Sequence, residues 1–283
     1  LQVGGQKHVL KNVQKNLKKK LTPALVSGIL TPHTVTKNTE IMRTKTLLIA
    51  IAALVAAGVV TSKAQVYSAN VVGYVNTVLP GSSAFSMICN PLDAGTNAAE
   101  NLISCLDSGD TIYLWTGNGY YSSTYYGGPD GYLTAPMDWV DQNNVTTNSP
   151  NIPPGMGFFY STQSGDQETN TFTGVVRTTN NIALPGSSAF SLVASTAPIG
   201  GSLESTNFGL PLDSGDTIYI WTGNGYYSST YYGGGDGYLD PPYDWVDQNN
   251  VTTNAPVVVP GQGFFYSTQS GNAETWNQNF IVQ

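Results

Sequence analysis

The sequence predicts an all-β protein of two tandem, homologous small domains, each a β-sandwich or barrel, placed after a signal peptide. Three observations predict it. One long segment occurs twice, nearly unchanged. Runs of β-branched and aromatic residues alternate with clusters of Gly, Pro, Asn and Ser. An apolar run near the start carries the marks of a secretory signal.

In chain order, residues 1–41 read as an untranslated or non-structural leader. They carry Lys11, Lys15, Lys18, Lys19 and Lys20 and have no counterpart elsewhere in the chain. Residues 42–64 read as the signal peptide. Met42 is followed by Arg43 and Lys45, an apolar run from Leu47 to Val60, and Ser62-Lys63-Ala64 with small residues at −3 and −1 of a cleavage point. The run is short for a membrane span. No stable membrane insertion is expected after cleavage behind Ala64, and the expected location is extracellular or the cell surface.

Beyond that cut the electrostatics change. Of 11 Lys and Arg, only Arg177 lies past Lys63, whereas 17 of 18 Asp and Glu remain, giving a net charge of −16. Both histidines, His8 and His33, are also left behind. A chain with one cation cannot neutralise a phosphate backbone, so nucleic acid is excluded as a partner.

The repeat sets the domains: copy one over 65–176 and copy two over 177–283. Leu79–Ser86 recurs as Leu184–Ser191, and Leu106–Gly128 as Leu212–Gly234 with one change, Leu114 against Ile220. Trp139–Asn148 recurs as Trp245–Asn254, and Gly157–Gly165 as Gly263–Gly271. The variable part is 90–105 against 195–211. Strands are expected over Val71–Leu79, Ala84–Cys89, Thr111–Trp115, Tyr120–Tyr126, Met156–Thr162 and Thr169–Val176, with a helical turn in Asn97–Ile103. Asn118-Gly119 between two β-forming runs predicts a two-residue hairpin loop, placing Trp115 opposite Ser122 and Tyr113 opposite Thr124. Residues 127–152 read as a long loop. The strand around Val175–Ala183 is expected to join the copies and to match Val71–Val78, with Asn279–Val282 beginning the same role at the end. Such strands could template a further chain.

The stretch Gln65–Val75, together with Phe85-Ser86-Met87-Ile88, Gly109–Trp115 and Pro154–Phe159, resembles secreted bacterial tandem-repeat domains of the Verrucomicrobia type. The resemblance covers nearly all of 65–283. It implies secretion and a β fold, and it carries over no catalytic residue.

The residues present bound the chemistry. Without His or Lys past residue 64, a His-based triad, a His metal site and a Lys Schiff base are excluded. A carboxylate-pair glycoside hydrolase has candidates in Asp107, Asp110, Asp130, Asp138 and Asp141, but nothing distinguishes a pair among them. No enzyme is expected. Oxygen-rich clusters at Asp138, Asp141 and Asn143, and at Asp244, Asp247 and Asn249, suit calcium; the competing reading is that these residues cap their own turns. Cys89 and Cys105 bracket the variable part and are expected to form a disulfide, with two buried free thiols as the alternative. Alternation along the hairpin puts Tyr113, Trp115, Tyr120 and Tyr126 on one face, with Tyr219, Trp221, Tyr226 and Tyr232 in copy two. The aliphatic face is expected to point inward and the aromatic row outward. An outward row would make a sugar-stacking platform; the ordinary alternative is packing beneath loops. The resulting expectation is a non-enzymatic cell-surface or matrix protein acting in structural or adhesive self-association. Binding of an extracellular glycan through the Tyr/Trp rows ranks second, and glycoside hydrolysis third.

Overall fold

Residues 71–235, 237–269 and 271–280 are described in the computed structural model. The expected leader, signal peptide and cleavage point lie outside them. Copy one contains β1 (Val72–Leu79), β2 (Phe85–Cys89), α1 (Ala99–Leu102), β3 (Thr111–Trp115), β4 (Tyr120–Tyr125), β5 (Trp139–Asp141), β6 (Thr146–Thr147), β7 (Gly157–Ser161) and β8 (Glu168–Val175). Copy two contains β9 (Thr179–Leu184), β10 (Phe190–Val193), β11 (Gly201–Ser202), β12 (Thr217–Trp221), β13 (Tyr226–Tyr231), β14 (Trp245–Asp247), β15 (Thr252–Thr253), β16 (Val257–Val258), β17 (Phe264–Ser267) and β18 (Glu274–Asn279). The fold is all-β, as expected. Each copy has a six-stranded antiparallel sheet, in the order β2-β7-β3-β4-β5-β6 and β10-β17-β12-β13-β14-β15.

A two-stranded ribbon completes each sandwich, β1 with β8 and β9 with β18. In copy one, Val75 and Leu79 of β1 and Phe172 of β8 pack with Ile112, Phe158 and Tyr160 of the sheet. In copy two, Leu184 and Trp276 meet Ile218, Phe264 and Tyr266. The inward face of β3 and β4 is the predicted one: Ile112 is buried, and Leu114 and Tyr125 pack against the core. Beneath the core lies a buried polar lock. Asp110 accepts hydrogen bonds from the Tyr160 hydroxyl, from Gln163 N at 2.7 Å and from Asp107 N at 2.8 Å. Asp216 does the same with Tyr266, Gln269 and Asp213.

Several expectations are corrected. The hairpin pairs Trp115 with Tyr120 and Tyr113 with Ser122, so its loop is the four residues Thr116–Gly119. A two-residue type I′ loop needs positive φ at both Asn118 and Gly119; the positive φ falls instead on Gly117, at 94°. The register moves by two residues, so every side chain keeps its predicted face. The stretch read as a long loop contains β5 and β6. The joining segment is not one strand: β8 ends at Val175 and β9 starts at Thr179. Counted from the repeat, β18 matches β8 and not β1, and each end strand pairs within its own copy.

The expected disulfide is also absent: Cys89 and Cys105 are free. Alternation along β2 explains it. Ile88 enters the core of copy one, and Met87 enters a separate cluster toward copy two. Cys89 therefore shares the Met87 face, and its N–H donates to Gly261 O of copy two at 2.9 Å. Cys105 packs against the core on the opposite side of the sheet.

Candidate binding site at the seam of the two copies

The described residues of both copies belong to one compact unit. The outer faces of the two sheets meet, and the contact is reciprocal. Met87 and Phe159 of copy one pack with Leu192 and Phe265 of copy two, flanked by Tyr113, Trp115, Tyr219 and Trp221. The Trp115 indole N–H donates to Phe190 O at 2.8 Å, and the Trp221 indole N–H donates to Phe85 O at 2.9 Å. Isolated bridges Ile88–Gln262 and Met156–Val193 repeat the same exchange. Equivalent patches thus bind each other, the intramolecular form of a twofold interface. Glycine permits the close approach: a Cβ on Gly263 would lie 2.9 Å from Ile88 O and 3.4 Å from Gly157 Cα.

The aromatic row therefore faces the other copy and not open solvent. Tyr113, Trp115, Tyr219 and Trp221 are half-buried. Tyr120 and Tyr226 remain 39% and 41% exposed, beside Phe85 and Phe190 at 40% each. These rings border two equivalent pockets. The first, about 280 Å³, is lined by Phe85, Tyr113, Tyr120, Phe159, Trp221 and Tyr226. The second, about 300 Å³, is lined by Phe190, Tyr219, Tyr226, Phe265, Trp115 and Tyr120. Each takes four side chains from one copy and two from the other. Tyr120 and Tyr226 line both. Burial, then neighbouring Tyr226, pushes the Tyr120 phenol above the ordinary tyrosine range, so it is a neutral donor and acceptor.

Tyr126 and Tyr232 do not join the site. They pack on Tyr132 and Tyr238 at ring-centroid distances of 4.9 and 4.8 Å. Phe85, Phe159, Phe190 and Phe265 are lining residues that the hairpin alone did not reveal, because they sit on the neighbouring strands β2, β7, β10 and β17. The signal for them was the alternation Phe85-Ser86-Met87, repeated as Phe190-Ser191-Leu192.

The candidate calcium ligands divide between turn caps and buried carboxyls. Asp141 Oδ1 accepts from Asn143 N and Val145 N, both at 2.9 Å, which is turn capping. Asp247 does the same with Asn249 N and Val251 N, at 2.8 and 2.9 Å. These backbone donors hold both carboxyls below their ordinary range. Asp138 and Asp244, three positions earlier, are buried instead, each against the glycine and tyrosine of its own hairpin end, Gly127 with Tyr125 and Gly233 with Tyr231. Among the described residues, no group of three or more His, Cys, Asp or Glu is placed to hold a metal ion.

Among the described residues, no carboxylate lines either pocket. The lining is almost wholly apolar, and the two indole N–H groups are committed to carbonyls. Such a site holds flat apolar faces by stacking and offers hydroxyls at the edge. No protein-family model, curated protein or solved structure matches the chain.

Proposed function

We propose that the chain is a secreted, non-catalytic binding protein that takes carbohydrate rings in its paired aromatic pockets. The observation that carries this reading is the convergence of both aromatic rows on two equivalent pockets, each at the small end of the ligand-site range. A sugar ring presents C–H faces to aromatic planes and hydroxyls to the tyrosine edge. The indoles are fixed in advance by their carbonyl bonds, which lowers the ordering cost of binding. The test is a glycan array on the chain starting at Gln65, followed by tryptophan-fluorescence titration of the hits. Quenching that disappears in Trp115→Ala and Trp221→Ala supports the reading. A blank array with a folded protein refutes it.

A second reading, self-association, draws on one specific feature. The outer face of β1 exposes Val72, Tyr74 and Val78, at 72%, 75% and 56%. The matching positions of copy two hold Arg177, Thr179 and Ala183. Light scattering on the chain and on Tyr74→Lys tests it: a concentration-dependent dimer lost in the variant favours association, and a strict monomer at high concentration removes it.

A further inference from the structure

Building on the carbohydrate reading, we propose that the two pockets form one site for a single neutral, β-linked homopolymeric glycan, with one pyranose ring in each pocket and the chain crossing the Tyr120–Tyr226 pair. Three observations lead there. The pockets share both tyrosines as a common wall, so rings held in them are neighbours. Trp115 lies 5.1 Å from Tyr120 and Trp221 lies 5.2 Å from Tyr226, ring centroid to ring centroid, so each outer wall stands one aromatic contact from the shared wall. The linings are the same residue types at equivalent positions, so both pockets select the same unit. A ligand with identical units in series offers the same C–H faces to both, met in opposite chain directions across the twofold; an alternating copolymer offers them to one.

Chemistry narrows the class further. Stacking needs a flat face of C–H groups, which pyranoses with equatorial linkages present along a ribbon. Anionic sugars are disfavoured. Arg177, the single cation past residue 63, is 2.7 Å from Asp93 and lines neither pocket. The surplus of carboxylates repels uronates and sulfates.

Because the first pocket takes Trp221 from copy two and the second takes Trp115 from copy one, neither repeat holds a complete pocket alone. Duplication within one chain is what builds the site. Linking two ring-sized contacts turns the second into an intramolecular event, with a gain in affinity that needs no new contact.

Calorimetry on the chain starting at Gln65 tests this, using glucose, N-acetylglucosamine, cellotetraose, chitotetraose and tetragalacturonic acid. One neutral tetrasaccharide is expected to bind one per chain, at least tenfold tighter than its monosaccharide, with no binding of the galacturonate. Trp115→Ala or Trp221→Ala should each reduce the tetrasaccharide to monosaccharide affinity. Two tetrasaccharides per chain at monosaccharide affinity would overturn the single-chain site while leaving the carbohydrate reading intact. No heat with any sugar, in a protein whose circular dichroism shows it folded, would overturn both. The stoichiometry and affinity ratio come from the unaltered chain, so they decide the matter even if a tryptophan variant fails to fold.

Discussion

Tyr120 and Tyr226 occupy equivalent positions in the two copies and line both pockets at the centre of the seam. A bond between their hydroxyls would have a definite mutational signature. Tyr120→Phe and Tyr226→Phe should each cost about 0.5–1.5 kcal/mol, toward the low end because both rings reach solvent and water can replace the partner. The double variant should cost no more than either single one, since the bond is already lost. Urea unfolding of the four proteins checks this; additive costs would show that the hydroxyls do not bond each other.

The tryptophans predict the opposite pattern. Trp115 and Trp221 make two separate bonds, to Phe190 O and Phe85 O. Trp115→Phe and Trp221→Phe keep an aromatic ring and lose one N–H donor each. Each should lower stability by about 1 kcal/mol, and the two costs should add. Thermal and urea unfolding of the single and double variants provide the comparison.

Free cysteines make a third prediction. Cys89 is buried, and burial pushes its thiol far above the ordinary range. Cys105 is half-buried; burial first, then the charges of Glu168 and Asp110, push its thiol up to about 11. The thiolate is the reactive form, so a thiol reagent at neutral pH should leave Cys89 untouched and reach Cys105 slowly. Denaturant should release two thiols per chain, and reducing agent should leave the melting temperature unchanged. A drop in melting temperature on reduction would restore the disulfide.

The parts of the fold that were legible in the sequence were those fixed by local pattern. Alternation in Thr111–Trp115 placed Ile112 inward and Trp115 outward whatever the loop length, because the register error was even. The partner of the outward face was not legible. Nothing local distinguishes Trp115 facing solvent from Trp115 facing Phe265, which lies 5.3 Å away across the seam. That contact depends on how two copies dock. The cysteines failed for a related reason: their short separation in sequence suggested a bridge, whereas one step of strand alternation put Cys89 on the far side of the sheet. Asp141 and Asn143 were ambiguous between metal and turn, and the nearer donors, their own backbone N–H groups, took the oxygens.

The buried Asp110–Tyr160 and Asp216–Tyr266 pairs predict matched defects. Tyr160→Phe removes a donor from a carboxylate that has no exposure to water. The loss should be about 1–3 kcal/mol. Tyr266→Phe removes the same bond to Asp216 in copy two and should cost a similar amount. Asp110→Ala should be worse than Tyr160→Phe, because it also frees Gln163 N and Asp107 N. Equilibrium unfolding measures all three, and a neutral Tyr160→Phe would show that the hydroxyl bond is not needed.

Copy two carries an acid pair whose pH dependence runs against the usual direction for carboxylates. Glu204 lies against fully buried Asp244, with Trp245 and Tyr231 as the other polar neighbours. Among the described residues no cation is at hand, since Arg177 is engaged with Asp93. Burial, followed by the charge of neighbouring Asp244, raises the Glu204 carboxyl above its ordinary range. The folded protein therefore holds the Glu204 proton more tightly than the unfolded chain does. Its contribution to stability is fully present below the unfolded glutamate pKa of about 4.3 and is lost as pH rises through the higher folded value. Asp93, held low first by its hydrogen bond to Arg177, and Asp141 act in the other sense, losing stability as pH falls. The Glu204 effect is isolated by comparing the protein with Glu204→Gln, which keeps the side-chain shape but cannot ionise. Melting temperature followed from about pH 4 to pH 7 should fall less in the variant than in the parent. The Asp93 and Asp141 contributions are common to both proteins and cancel in the difference. Parallel curves across that range would mean that the folded protein does not hold the Glu204 proton more tightly than the unfolded chain.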